Sequence, residues 1–157
     1  MPKITFTLNG QKEALNTRLD LRLLDLLRTH YHLTGSKEGC GEGECGACSV
    51  FINGKLINSC LVPLGSINGA DIMTIEGYKH TERFKVLQKA FIKEGGSQCG
   101  ICTPGMMMAS EYLLAHNPNP TEHDIRHGLS GNLCRCTGYN MIIKAIKRAA
   151  KEGKGLW

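Results

Sequence analysis

Eight cysteines in a chain of 157 residues constrain this fold more than any other feature, because they fall into two quartets that each need a common centre. The first is Cys40, Cys45, Cys48 and Cys60, spaced C-x4-C-x2-C with eleven residues before the last. The second is Cys99, Cys102, Cys134 and Cys136, a C-x2-C and a C-x-C separated by 31 residues. A chain of this length suits one ordinary domain or two units of about 75 residues. Two such small units have thin cores, and a metal staple in each offsets that weakness.

Disulfides are the alternative use of an even cysteine count. The N-terminus, Met1 to Leu8, alternates polar and apolar residues and lacks the apolar stretch of a secretory signal. A cytosolic location is therefore expected, where thiols stay reduced and a disulfide framework is disfavoured. No apolar run approaches the roughly 18 residues of a membrane span. Hydrophobic residues at 41% and charged residues at 21% are ordinary globular values.

The first quartet has the plant-type spacing for a [2Fe–2S] cluster. A compact loop aims three sulfurs inward, and a neighbouring element supplies the fourth. Gly39, Gly41, Gly43 and Gly46 allow positive φ and let backbone N–H groups approach the sulfurs. Residues 41–46 also match G-x-G-x-x-G, but a dinucleotide site needs a strand before it and a helix after it. A cysteine lies inside this copy and a strand-like run follows, so the nucleotide reading is rejected.

In the second quartet, Cys102 is expected just before a helix starting near Pro104, and Cys136 just before one starting near Gly138. Helix N-termini carry partial positive charge and free N–H groups, which favour an anionic cluster. A second [2Fe–2S] centre between two helix pairs is the economical reading. Structural zinc is the alternative at either quartet, since zinc also takes four thiolates. A thioredoxin-like role for Cys99 and Cys102 would need a βαβ context, which this half lacks.

The periodicity predicts strands at 4–8, through Leu15, at 49–52 and 56–57, and from Asp71 to Ile75, with tight turns at Asn9-Gly10 and Asn53-Gly54. It predicts one helix over about 21–31 with Asp20 as its N-cap. The second half reads as four helices: 82–94, from Pro104 to Ala115, from Thr121 to about 129, and 139–151. The class is α+β, with a boundary expected near Gly77 and units at 1–78 and 79–157. The first unit holds 7 basic and 8 acidic residues and the second 12 and 6, so the two are expected to face different surroundings. Without a dense Lys/Arg block, and with 6% aromatic residues, a nucleic-acid partner is not expected.

Three segments carry a specific resemblance. Glu38 to Cys48, Gln98 to Gly105, and Gly131 to Tyr139 resemble the iron–sulfur part of the molybdenum hydroxylases, the xanthine dehydrogenase and aldehyde oxidoreductase family. The likeness runs nearly end to end, with no departure among the eight cysteines. It implies an N-terminal β-grasp ferredoxin-like domain followed by a four-helix bundle-like [2Fe–2S] domain. It also implies a separate small subunit. A large partner subunit would hold molybdopterin, in its cytosine dinucleotide form, and a medium one would hold FAD, in a hetero-oligomer such as a dimer of heterotrimers.

By the same resemblance electrons pass from the molybdopterin centre to the second cluster, then to the first, then to FAD, and Gln98 and Cys136 contact the pterin. The competing reading is a freestanding two-cluster ferredoxin. No substrate chemistry is expected on this chain, and its residues do not choose among purines, aldehydes, carbon monoxide and N-heterocycles. His123 and His127 are read as solvated, Met106 to Met108 as core or interface filler, and Trp157 as disordered or docked on a partner.

Overall fold

Alternating side chains give the N-terminal sheet two different faces: one packs on a buried core, and the other is covered only around β3, β4 and β5, where it meets the helical half. The computed structural model describes residues 1–157. Five strands, β1 (Lys3–Leu8), β2 (Gln11–Asn16), β3 (Ser49–Ile52), β4 (Lys55–Asn58) and β5 (Asp71–Met73), form one sheet in the order β2-β1-β5-β3-β4. The pairs β1–β2 and β3–β4 are antiparallel hairpins closed at Asn9-Gly10 and Asn53-Gly54, as those dipeptides predict. Strand β5 joins them, parallel to β1 and antiparallel to β3.

On one face Ile4, Phe6, Leu8, Val50 and Ile72 pack with Leu23, Leu26 and Leu27 in a buried core. On the other, Phe51 stands opposite Leu56 and Met73, and all three pack against the helical half. The expected helix over 21–31 is shorter and irregular. Helix α1 (Leu23–Asp25) runs into a π-helical turn, Leu26–His30. The Thr29 hydroxyl donates to the Asp25 carbonyl at 2.7 Å, an intrusion of the kind that widens a turn. Asp20 is not the N-cap: that position falls to Arg22, and Asp20 pairs with Arg18 at 2.6 Å.

Strand β5 stops two residues before the expected Ile75. The Thr74 N–H turns to the Asn9 side chain (2.8 Å), and helix α2 (Ile75–Tyr78) begins. Helices α3 (Glu82–Glu94), α4 (Thr103–His116), α5 (Glu122–Gly128) and α6 (Asn140–Glu152) follow. Thr81 caps α3 through the Phe84 N–H, and Gly95 ends it in the left-handed conformation. Thr121 and Asp124 form a capping box on α5. Helix α4 is buried from Gly105 to Glu111, because it lies between the sheet and the other helices. Met106, Met107 and Met108 are core residues there. Helix α6 is amphipathic, with Ile142, Ile143, Ala145, Ile146 and Ala149 turned inward.

A buried carboxylate ties this half together. Glu111 accepts from the Tyr78 hydroxyl (2.6 Å), from Arg83 (2.9 Å) and from the Trp157 indole N–H (2.8 Å). Trp157 is thus docked on its own chain, its ring against Gly153, and is neither disordered nor dependent on a partner for its place. Burial, and then the Glu111 charge, raise the Tyr78 hydroxyl well above the ordinary phenol range.

Candidate metal centres

The first four cysteines are brought together by a loop without regular structure and the hairpin that follows it. Cys48 precedes β3, and Cys60 lies in a short 3-10 turn, Ser59–Leu61, after β4. The Ser59 N–H and hydroxyl both donate to the Cys48 carbonyl, at 3.2 and 2.7 Å, which fixes these two buried cysteines side by side. Asn58 holds the loop by donating to the Gly43 carbonyl at 2.7 Å. Arg22 grips the loop from α1, with Glu38 at 3.0 Å and Asp25 at 2.8 Å. Glu38 is therefore not a free acid beside the site, whereas Glu42 and Glu44 lie on the loop and direct their backbone N–H groups at Cys40 Sγ, both at 3.3 Å.

Those two amides pull the Cys40 thiol down to about 7, because they stabilise its thiolate. Burial pushes Cys60 up to about 11, and its neighbour Cys48 adds to the rise. The loop glycines divide the labour. Gly41, Gly43 and Gly46 have positive φ, as expected, but Gly39 does not. Gly39 is needed for space: a Cβ there would lie 2.7 Å from Cys45 Sγ.

The second four are brought together at one end of the helical half. Cys102 is the N-cap residue of α4, as predicted. Cys134 and Cys136 do not meet the start of α6 in the same way. That helix begins at Asn140, after Gly138 and Tyr139 have both taken left-handed conformations. The amides that a helix end was expected to offer come instead from the turn: the Thr137 N–H and hydroxyl donate to Cys134 Sγ at 3.4 and 3.1 Å.

Burial raises the Cys134 thiol, but Thr137 and the Cys136 amide outweigh it and the net shift is downward. Cys102 is pushed up to about 12 by burial. The Tyr139 hydroxyl accepts from the Cys134 N–H at 3.0 Å, which braces the whole turn. Tyr139→Phe removes that acceptor and is expected to cost about 1 kcal/mol of stability. The same substitution should hasten loss of iron from the second site to a chelator. A melting curve and a chelation time course, both unchanged, would contradict this role for Tyr139.

Within each quartet the thiols sort into neighbouring pairs. Cys40 lies with Cys45 and Cys48 with Cys60. Cys99 lies with Cys136 and Cys102 with Cys134. Two pairs of thiols side by side are the donor set in which two irons each take two thiolates.

The sites differ in exposure. Cys48 and Cys60 are buried, whereas Cys99 and Cys136 are exposed. Around the exposed pair stand Gln98, whose amide points at Met141 Sδ (3.9 Å), and the uncovered side chains of Ile101, Leu133 and Met141. Sequence reasoning missed Arg22, Thr137, Tyr139 and Asn132 as parts of these sites. For Thr137 a signal existed, a hydroxyl three residues after a cysteine. Asn132 and Tyr139 lie in the 131–139 segment that carries the resemblance, but their roles do not show there, and for Arg22 no signal existed, since its partner Glu38 is distant in the chain.

Comparison with known proteins agrees with two cluster sites. Residues 6–66 match the 2Fe-2S iron-sulfur cluster binding domain, and residues 74–147 match the [2Fe-2S] binding domain family. The chain is 45% identical to the nicotinate dehydrogenase small FeS subunit of Eubacterium barkeri, over 97% of this chain and 98% of that one. It is 46% identical to a probable xanthine dehydrogenase subunit of Bacillus subtilis, over 95% and 86%. Its fold superposes on a chain of quinoline 2-oxidoreductase from Pseudomonas putida 86 with a TM-score of 0.89 and 39% identity, over 96% and 94%.

The protein is thus an α+β iron–sulfur protein with two [2Fe–2S] binding domains. It belongs to the small iron–sulfur subunits of the molybdenum hydroxylase family, the oxidoreductases related to xanthine dehydrogenase. No helix is long and apolar enough to cross a membrane.

Proposed function

We propose that this chain relays electrons within a molybdenum hydroxylase, from a molybdopterin centre on a large subunit, through its second site and then its first, to FAD on a medium subunit. In this reading Cys40, Cys45, Cys48 and Cys60 hold one [2Fe–2S] cluster, and Cys99, Cys102, Cys134 and Cys136 hold the other. Each cluster supplies a one-electron centre when bound. The matches of both halves to [2Fe-2S] binding domain families support two irons per site over a single zinc.

The observation that supports a partner at the second site is the difference in exposure. Cys99 and Cys136 open onto a surface rimmed by Ile101, Leu133 and Met141, three apolar side chains left uncovered in this chain. A rim of that kind suits a permanent partner. There Gln98 and Cys136 would contact the pterin, in its cytosine dinucleotide form. Gln98 can both donate and accept, as a heterocycle edge requires. The chain divides into units at 1–78 and 79–157, each with its own core, in a hetero-oligomer located in the cytosol. The substrate is chosen on the large subunit. Isolating the native complex tests the relay: the chain should co-purify with molybdenum and flavin subunits. A monomer that carries both clusters and binds neither partner would favour a freestanding carrier.

A further inference from the structure

The two cysteine sites touch each other through one short seam. The Leu133 N–H donates to the Cys45 carbonyl at 2.9 Å, so a single hydrogen bond joins the residue beside Cys134 to a cysteine of the first quartet. Next to it the Asn132 side-chain amide donates to the Gly46 carbonyl at 3.2 Å. Asn132 is a polar residue only 4% exposed, and its own N–H is held by the Leu129 carbonyl at 2.9 Å. Buried amides are retained where they find partners. This one finds its partner in the other half of the chain, 86 residues away.

The space around the seam is closed from both sides. Gly46 has φ +70°, and a Cβ on it would lie 2.4 Å from Asn132 Nδ2 and 2.5 Å from the Gly131 carbonyl oxygen. From α4, Gly105 packs so closely that a Cβ there would stand 2.2 Å from the Gly46 carbonyl oxygen. Two glycines and one asparagine thus interlock where the two loops meet, three residues after Cys102, two before Cys134 and one after Cys45.

We propose that Asn132 is a positioning residue that fixes the spacing and orientation of the two cysteine sites relative to each other, by holding the Gly46 carbonyl of the first loop so that the Cys45–Leu133 hydrogen bond is kept. This deepens the relay reading and rests on both quartets holding clusters. The Gly46 carbonyl also accepts from the Ser49 N–H (3.2 Å) and hydroxyl (2.7 Å). Removing Asn132 therefore frees the seam without unfolding the first loop.

The test uses the full chain loaded with iron and sulfide, as wild type, Asn132→Ala and Gly105→Ala. The readouts are iron content, the g-values of each reduced site, and the magnetic splitting each imposes on the other when both are reduced. Wild type should show mutual splitting. Asn132→Ala should keep its iron and both sets of g-values but show a changed or lost splitting. Gly105→Ala, which pushes the Gly46 carbonyl away without touching Asn132, should change the splitting in the same way. Splitting identical in all three proteins overturns the proposal while leaving the relay reading standing. A wild-type chain that takes up no iron defeats the relay reading itself.

Discussion

Cys48→Ala is expected to empty the first site and leave the second intact, lowering iron from about four to about two per chain. Cys48 is 2% exposed and packs with Cys60 and Leu24, so no water or surface ligand can replace it. The loop that holds its partners Cys40 and Cys45 has no regular structure, and metal binding is part of what orders such a segment. The EPR signal of the second site should persist, because Cys99, Cys102, Cys134 and Cys136 form their own pairs. Cys102→Ala should give the mirror result. Iron that stays at the wild-type level in either variant contradicts the division into two independent quartets.

Glu111→Ala is expected to cost about 2–4 kcal/mol, because it strips the acceptor from two donors at about 1–3 kcal/mol each, while Arg83, 40% exposed, is left to solvent. The carboxylate is 7% exposed and collects three donors, from Tyr78, Arg83 and Trp157. Truncation leaves the Tyr78 hydroxyl and the Trp157 indole N–H without an acceptor and releases the C-terminal residues from α4. Glu111→Gln keeps an acceptor for one of these groups and should lose less. Urea unfolding measures both. A loss of about 1 kcal/mol or below, the worth of an exposed ion pair, would show that Glu111 does not organise this core.

What the chain discloses before folding is governed by how local the signal is. The Asn-Gly turns and the capping Thr121 are short-range patterns with a direct physical meaning, and the structure has each in place. Both hairpins and the helices of the second half are legible for the same reason. Asp20 misleads because an Asp before an apolar run is a good cap only when no cation competes, and Arg18 takes it. The π-helical turn depends on one Thr29 hydroxyl finding the Asp25 carbonyl, which periodicity does not encode.

At the sites, the grouping of the cysteines into quartets is readable and the bracing around them is not. Arg22 to Glu38, Tyr139 to Cys134 and Asn132 to Gly46 are pairings between groups that only the folded chain brings near. The left-handed Tyr139 postpones the start of α6, so the expected symmetry between the two halves of the second quartet is broken. Trp157 gives no local sign of Glu111, 46 residues earlier.

The relay reading requires that the eight thiols hold two two-iron clusters. Iron and acid-labile sulfide measured together on the full-length protein, with a dithionite titration followed by EPR, address it most directly. About four irons and about four sulfides per chain, with two distinct reduced signals, are the predicted result. Zinc without sulfide, or one signal accounting for all the iron, would contradict it.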